Sequence, residues 1–259
     1  MDSNTLLIPL WFLLCWVLSI RSVMGHQSFP LHAADKAIPL TLVEDSVDDM
    51  YHGCTNKMTA KVRKTYFPKE NKDTFKDVGN LAEKYANKKK RDIDDEGLTK
   101  DHMQAICVYT APQFYAMFND HVRNNRSIYG TDFKFHALHF WLTRAVQILN
   151  KERCYISYRR TNLEFTGGAN VIMRFGSFAS TSLNKTLVRF GNKTCFEIRT
   201  CSGGYLKHYP VLGYYEQEVL IPPYEKFNIT EKVKGFYDCE VVYKLESAGI
   251  LSNLNCKAV

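Results

Sequence analysis

The chain has 259 residues, 45% of them hydrophobic and 24% charged, a length and apolar content that suit one compact unit with a sizeable core. It carries no internal repeat, low-complexity tract or long linker, which excludes solenoid and disordered classes. The net charge of +7 is mild and scattered: the only basic run, residues 88–91, meets the acidic stretch 92–96 at once and reads as a solvated loop, not a nucleic-acid patch.

The first element is an apolar run at residues 6–20, followed through Gly25 by small or aliphatic residues placed for a signal peptidase. Residues 1–25 are therefore expected to be a signal peptide cleaved near Gly25. The run is shorter than the roughly 20 residues that cross a bilayer. Asp2 stands where a basic charge is usual, which leaves a signal anchor as the alternative. Asp2 and Arg21 would leave together, so the mature chain keeps its charge of +7.

Residues 26–150 read as mainly helical. Leu81, Ala82, Tyr85 and Ala86 form a weak stripe, Thr99 is placed to cap a helix running through Cys107, and Pro112 opens another carrying Phe114, Met117 and Phe118. Leu138, Trp141, Leu142, Ala145 and Leu149 form the strongest helical face, a core stripe supporting whatever site the chain builds. From residue 151 to 256 the period changes. Short β-rich runs at 154–159, 170–175, 195–200, 218–221, 225–229 and 236–245 alternate with Gly, Pro, Asn and Ser, the pattern of a mostly antiparallel core in an α+β fold. Residues 26–259 are expected to form a single domain.

Three polar motifs stand out against this framework. Glu216 and Glu218 flank one residue and run into Val219, Leu220 and Ile221 before a Pro-Pro stop, as at the mouth of a buried strand. In a strand, side chains two apart share a face. The two carboxylates would then enter one site, and at least one would need a cationic partner or a raised pKa. That chemistry suits a site handling a cation; the alternative is an edge strand showing plain surface charge. Arg159 follows the β-like run 154–158, and Ser180, Thr181 and Ser182 follow an aromatic strand at 174–178.

An arginine, then Ser-Thr-Ser, then Glu-x-Glu, in that order, resembles the arginine-specific mono-ADP-ribosyltransferases, vertebrate ecto-enzymes related to the bacterial ADP-ribosylating toxins. Segments 108–111, 135–145 and 218–223 are also similar, so the resemblance spans essentially the mature chain. It implies the ADP-ribosyltransferase fold: a helical N-terminal part on two sheets packed face to face, with NAD in the cleft. The implied reaction transfers ADP-ribose from NAD to the arginine side chain of an acceptor protein and releases nicotinamide, with NADP as an alternative donor.

The same resemblance assigns roles. Arg159 grips the cofactor, since a guanidinium fork binds phosphate oxygens in pairs. Ser180 hydrogen-bonds in the nicotinamide-ribose region and holds the catalytic glutamate, while Thr181 and Ser182 support strand geometry. Glu218 contacts the ribose and stabilises the cationic transition state. Glu216 orients the incoming guanidinium and helps take its proton, which marks arginine as the acceptor. Phe190 is a candidate to stack on nicotinamide. Tyr214 and Tyr215 fall in the substrate-recognition loop, with packing as an equal reading. Arg160 departs from the family's usual glycine; it either adds a phosphate contact or fills space a ligand approaches.

Cys15 leaves with the signal, so seven cysteines remain. The resemblance implies the pairs Cys54 with Cys256 and Cys154 with Cys201; Cys195 with Cys239 is the natural further pair, leaving Cys107 as a free buried thiol. Sequons stand at Asn125, Asn184, Asn192 and Asn228. The C-terminal residues carry no hydrophobic tail for a lipid anchor, so a secreted, extracellular monomer without a stable membrane anchor is expected. No metal is expected either: His136 and His139 share a helix face but have no third ligand at suitable spacing. Two alternatives remain, an enzyme that mainly hydrolyses NAD, against which Glu216 argues, and a non-catalytic secreted binding protein, against which intact Arg159, Ser180 and Glu218 argue.

Overall fold

The computed structural model describes residues 37–259 apart from 73, 112 and 113, and leaves the side chains of 74–78, 81 and 236 undescribed. The expected signal peptide at 1–25 and the helix-opening Pro112 lie outside the described residues. After a short strand β1 (Ile38–Pro39) come the helices: α1 (Thr55–Lys61) passes through a π-helical turn, Val62–Tyr66, into α2 (Phe67–Glu70), followed by α3 (Thr74–Lys88), α4 (Lys100–Tyr109), α5 (Tyr115–Asn124) and α6 (His136–Asn150).

Local chemistry sets the helix ends. Thr99 adopts an extended conformation and its N–H donates to His102 Nδ1 at 2.9 Å, closing the N-terminus of α4 as its sequence predicts. At α6, both carboxylate oxygens of Glu70 accept the Ala137 N–H, at 2.9 and 3.0 Å, and Lys151 ends the helix in the left-handed region. The expected stripe of α6 is buried at Trp141, Leu142, Ala145 and Leu149, joined by Phe140 and Val146, while Leu138 is only partly covered. In α3 the expected stripe holds at Ala82 and Ala86 but Tyr85 is exposed, and in α5 Phe118 is buried where Met117 is exposed.

The second half supplies β2 (Tyr155–Thr161), β3 (Phe165–Thr166), β4 (Ile172–Met173), β5 (Ala179–Ser182), β6 (Thr194–Thr200), β7 (Gly204–Tyr205), β8 (Glu218–Ile221), β9 (Glu225–Phe236) and β10 (Cys239–Ile250). β1 and β3 form a small parallel sheet, and the other eight strands run in the order β4-β9-β10-β6-β2-β5-β8-β7. All neighbours in that order are antiparallel except β10 with β6. β2 pairs with β6 along its whole length but meets β5 at one pair only, Tyr158 with Ser182. The eight strands form one hydrogen-bonded sheet, which a single seam divides into five strands and three. Arg159 and Ser180 sit on either side of that seam.

Aromatic side chains of the helices build one core around Phe118, Phe135 and Phe140, and the strands build a second around Phe196, Phe227, Ile229 and Tyr243. A buried ion pair ties the periphery to both. Arg174 Nη1 donates to Asp48 Oδ2 at 2.6 Å with neither side chain exposed. Arg174 also donates to the carbonyls of Leu42, Val43 and Leu251, while Asp48 accepts the Leu254 N–H at 3.0 Å. The N-terminal segment, β4 and the C-terminal segment thus share one knot. Cys54–Cys256, Cys154–Cys201 and Cys195–Cys239 are bonded as expected, and Cys107 is free and buried, its thiol pushed up to about 11 by burial.

Removing one partner from the knot strands a charge in the interior. Arg174→Met is expected to lower the free energy of unfolding by about 3–5 kcal/mol, read from urea denaturation with disulfides intact. A loss below about 1 kcal/mol would show that Asp48 finds water in its place.

Candidate active site

Glu218 opens β8, and the three residues after it, Val219, Leu220 and Ile221, are fully buried. The strand carries its first side chain inside with it: Glu218 is 4% exposed, which excludes the surface-charge reading. Burial pushes its carboxyl from 4.5 up to about 7; a hydrogen bond with Ser180 opposes this, Glu216 adds to it, and Arg159 opposes it. Register explains the Ser180 contact. Ser180 pairs with Leu220 and Ser182 with Glu218, so Ser180 is the diagonal neighbour of Glu218 on the same face.

Arg159, on β2, donates from Nη1 to the Ser180 carbonyl at 2.7 Å across the seam. Burial lowers its pKa, and among the surrounding charges Arg123 acts in the same direction while Tyr109, Tyr115 and Glu218 oppose it. Arg123, on α5, donates to Ser177 Oγ at 2.7 Å and to the Phe175 carbonyl at 3.5 Å. Neither guanidinium forms an ion pair among the described residues. A guanidinium without a carboxylate partner keeps donors that can bind a phosphate oxygen pair.

The helical half reaches this group through Tyr109. Its hydroxyl donates to the Phe178 carbonyl at 3.2 Å, accepts from Asn119 Nδ2 at 3.2 Å and lies 3.3 Å from Ser180 Oγ. Burial pushes the phenol up to about 12, so it remains a neutral hydroxyl. Asn119 and Arg123 escaped the sequence reading because polar residues on the aromatic-bearing α5 carry no periodic mark of a site, and Tyr109, though within the family-like segment 108–111, was given no role.

Glu216 does not sit where strand alternation places it. It ends a 3₁₀ turn, Gly213–Glu216, and Gln217 turns the chain through the left-handed region at φ 45° before β8 begins. The two glutamates are neighbours because of that reversal, not because of a shared strand face. Ser182 Oγ holds the turn by donating to the Glu216 carbonyl at 2.5 Å, and Thr181 Oγ1 donates to the Val219 carbonyl at 2.7 Å. The Glu216 carboxylate accepts from Arg189 Nη2.

Phe190 is brought to the Glu216 side of the site. It is 45% exposed, and the Arg189 guanidinium lies 4.6 Å from its ring centroid. Tyr215 is exposed beside the same guanidinium, while the Tyr214 hydroxyl is 3.3 Å from His208 Nδ1. The Arg160 guanidinium donates to the carbonyls of Lys185 and Tyr237. His136 and His139 are core residues. His136 accepts the Gly130 N–H and stacks on Tyr66, His139 bonds Tyr51 and the Val47 carbonyl, and burial holds both below the ordinary histidine range. A cavity of about 410 Å³ between Met50, Arg144 and Tyr224 contains none of the site residues and no carboxylate.

Because Glu218 binds a proton more tightly folded than unfolded, its contribution to stability is present below pH 4.5 and is lost as pH rises toward about 7. Glu218→Gln removes that loss. The variant is expected to be more stable than wild type by about 1–3 kcal/mol at pH 8, with the gap closing toward pH 4.5, as read by urea denaturation at several pH values.

Comparison with known proteins agrees with this geometry. The family described as NAD:arginine ADP-ribosyltransferase matches residues 40–247. The chain is 32% identical to human (Homo sapiens) ecto-ADP-ribosyltransferase 4 over 95% of its own length and 82% of that protein's. It is 35% identical to rat (Rattus norvegicus) T-cell ecto-ADP-ribosyltransferase 1, over 73% and 70%. Its fold superimposes on a point mutant of the eukaryotic mono-ADP-ribosyltransferase ART2.2, solved in complex with NAD, with a TM-score of 0.70, 30% identity, and coverage of 85% of this chain and 98% of that one. The chain belongs to the NAD:arginine ADP-ribosyltransferase family.

Proposed function

We propose that the protein transfers ADP-ribose from NAD to arginine side chains of other proteins, with release of nicotinamide, and that Glu218 is its central catalytic residue. The observation that carries this is the buried Glu218 carboxylate, bonded to Ser180 beside Arg159. Nicotinamide departs from NAD when the C1′–N bond breaks and takes the bonding electron pair, and positive charge develops on the ribose left behind. Only contacts stronger in that state than in the ground state accelerate the step, and a carboxylate in a dry site is such a contact.

The raised pKa fits the task. Burial keeps Glu218 protonated up to about pH 7. A pyridinium ring beside it restores the ionised form, because an opposite charge nearby lowers a carboxyl pKa. The anion is thus strongest when the donor is bound. Arg159, with Arg123 at the same seam, takes the pyrophosphate and bends the dinucleotide toward Glu218. Ser180, aligned by Tyr109, holds the carboxylate and meets the nicotinamide ribose. Glu216 orients the acceptor guanidinium and takes its proton; an arginine pKa of about 12 or more makes such a base necessary.

Residues 26–259 would act as one catalytic domain once residues 1–25 are removed. Three disulfides and the ecto designation of its relatives support an extracellular enzyme. Among the described residues no helix is long and apolar enough to cross a membrane.

Labelled NAD and an arginine-rich acceptor test the assignment. Wild type is expected to label the acceptor, Glu218→Gln to lose both labelling and nicotinamide release by 100-fold or more, about the cost of removing a transition-state charge contact, and Glu216→Gln to lose labelling while retaining some release. Release without labelling in wild type would make the protein an NAD hydrolase; neither signal, with disulfides intact, would favour a binding protein.

A further inference from the structure

Glu216 already holds a guanidinium. Arg189, in the 3₁₀ turn Val188–Phe190, donates from Nη2 to Glu216 Oε1. Its guanidinium lies 4.6 Å from the ring centroid of Phe190 and 4.9 Å from that of Tyr215, so one planar cation meets a carboxylate and two aromatic rings. These are the contacts a planar, delocalised cation uses best: a carboxylate for its fork of donors and aromatic rings for its faces. The side chains remain accessible, Arg189 at 40% and Glu216 at 26%, so an exchange of partners needs no unfolding.

We propose that Arg189 is a resident occupant of the acceptor subsite and that an incoming arginine must displace it from Glu216 before transfer. The inference rests on the reading of Glu216 as the acceptor-orienting carboxylate. Two guanidinium groups cannot share one carboxylate oxygen and the same aromatic faces without strong mutual repulsion, so the internal and external cations compete. Each internal contact is weak in this accessible setting; together they bias the subsite against a free guanidine by about tenfold. A target protein that brings further contacts to the exposed Tyr215 and Phe190 overcomes the bias, whereas a small guanidine does not. Arg189 thereby acts as a specificity-determining residue. It favours docked protein arginines over free ones, and it does so by competition, without touching the donor.

The test uses the full disulfide-bonded protein with NAD as donor and agmatine as the small acceptor, comparing wild type, Arg189→Ala and Arg189→Lys. KM for agmatine is expected to fall about tenfold in Arg189→Ala, with KM for NAD moving far less. Arg189→Lys keeps the charge but loses the planar fork, and its agmatine KM should fall between the two. A structural disturbance of the loop would instead lower kcat or raise both constants. An agmatine KM that is unchanged or higher in Arg189→Ala, with agmatine still labelled, overturns the proposal and leaves the transferase reading intact. If wild type releases nicotinamide but never labels agmatine or protein arginine, the transferase reading fails and the proposal with it.

Discussion

The site depends on one carboxylate being held almost out of water at the end of an apolar strand. β8 is short, and Val219, Leu220 and Ile221 have no exposed surface, so the strand's position is set by hydrophobic packing and Glu218 is carried inside as its first residue. Isolated, a charge there would be intolerable. The surroundings answer in two ways: Ser180 and Arg159 favour the anion, yet burial and Glu216 outweigh them. The carboxyl is thereby left near neutrality, poised for a cationic ligand to tip it. Structural stability is sacrificed at this point for an electrostatic response that a solvated glutamate could not give.

That response needs a rigid frame, and each part of the frame comes from a different region of the chain. β2 brings Arg159, β5 brings Ser180, and the end of α4 reaches over with Tyr109 to hold Ser180 from the helical side. The sheet is most loosely knit at this place, with one register pair joining β2 to β5. A seam between two well-bonded halves leaves backbone carbonyls and paired side chains to face a ligand, where a continuous ladder would have consumed them. Rigidity is restored from outside by the Arg174–Asp48 knot and by Cys54–Cys256, which fix the terminal segments against the core. Arg189 and Glu216 occupy less buried ground, on two 3₁₀ turns.

Much of this was legible in the residues themselves. The 3.6-residue stripe of α6 and the Gly-, Pro- and Asn-punctuated runs after residue 154 separate a helical half from a β half, and the family resemblance carried by the three motifs singles out Arg159, Ser180 and Glu218 before any contact is known. What escaped has physical causes. The left-handed turn at Gln217 was invisible because glutamine carries no propensity for that conformation; only packing forces it there. β9 continues past residue 229 because its polar stretch pairs with β10 as a solvated hairpin, closed by Tyr237 and Asp238 at positive φ, while the same residues read alone as a loop. The parallel pairing of β10 with β6 is non-local, so no local period reports it. The pairing of Arg189 with Glu216 spans 27 positions between two loops, beyond any motif.

The account stands on the ionisation of Glu218, and that can be measured directly. Side-chain-labelled glutamate observed by carbon NMR across pH, with Glu218→Gln to assign the signal, gives the carboxyl pKa in the free enzyme and with a non-reactive NAD analogue bound. A value near 7 in the free enzyme, falling by one unit or more when the pyridinium is present, is what a buried carboxylate answering a cation must show. An ordinary value near 4.5 that does not respond to the analogue would contradict it, and would place the stabilisation of the transition state elsewhere in the site.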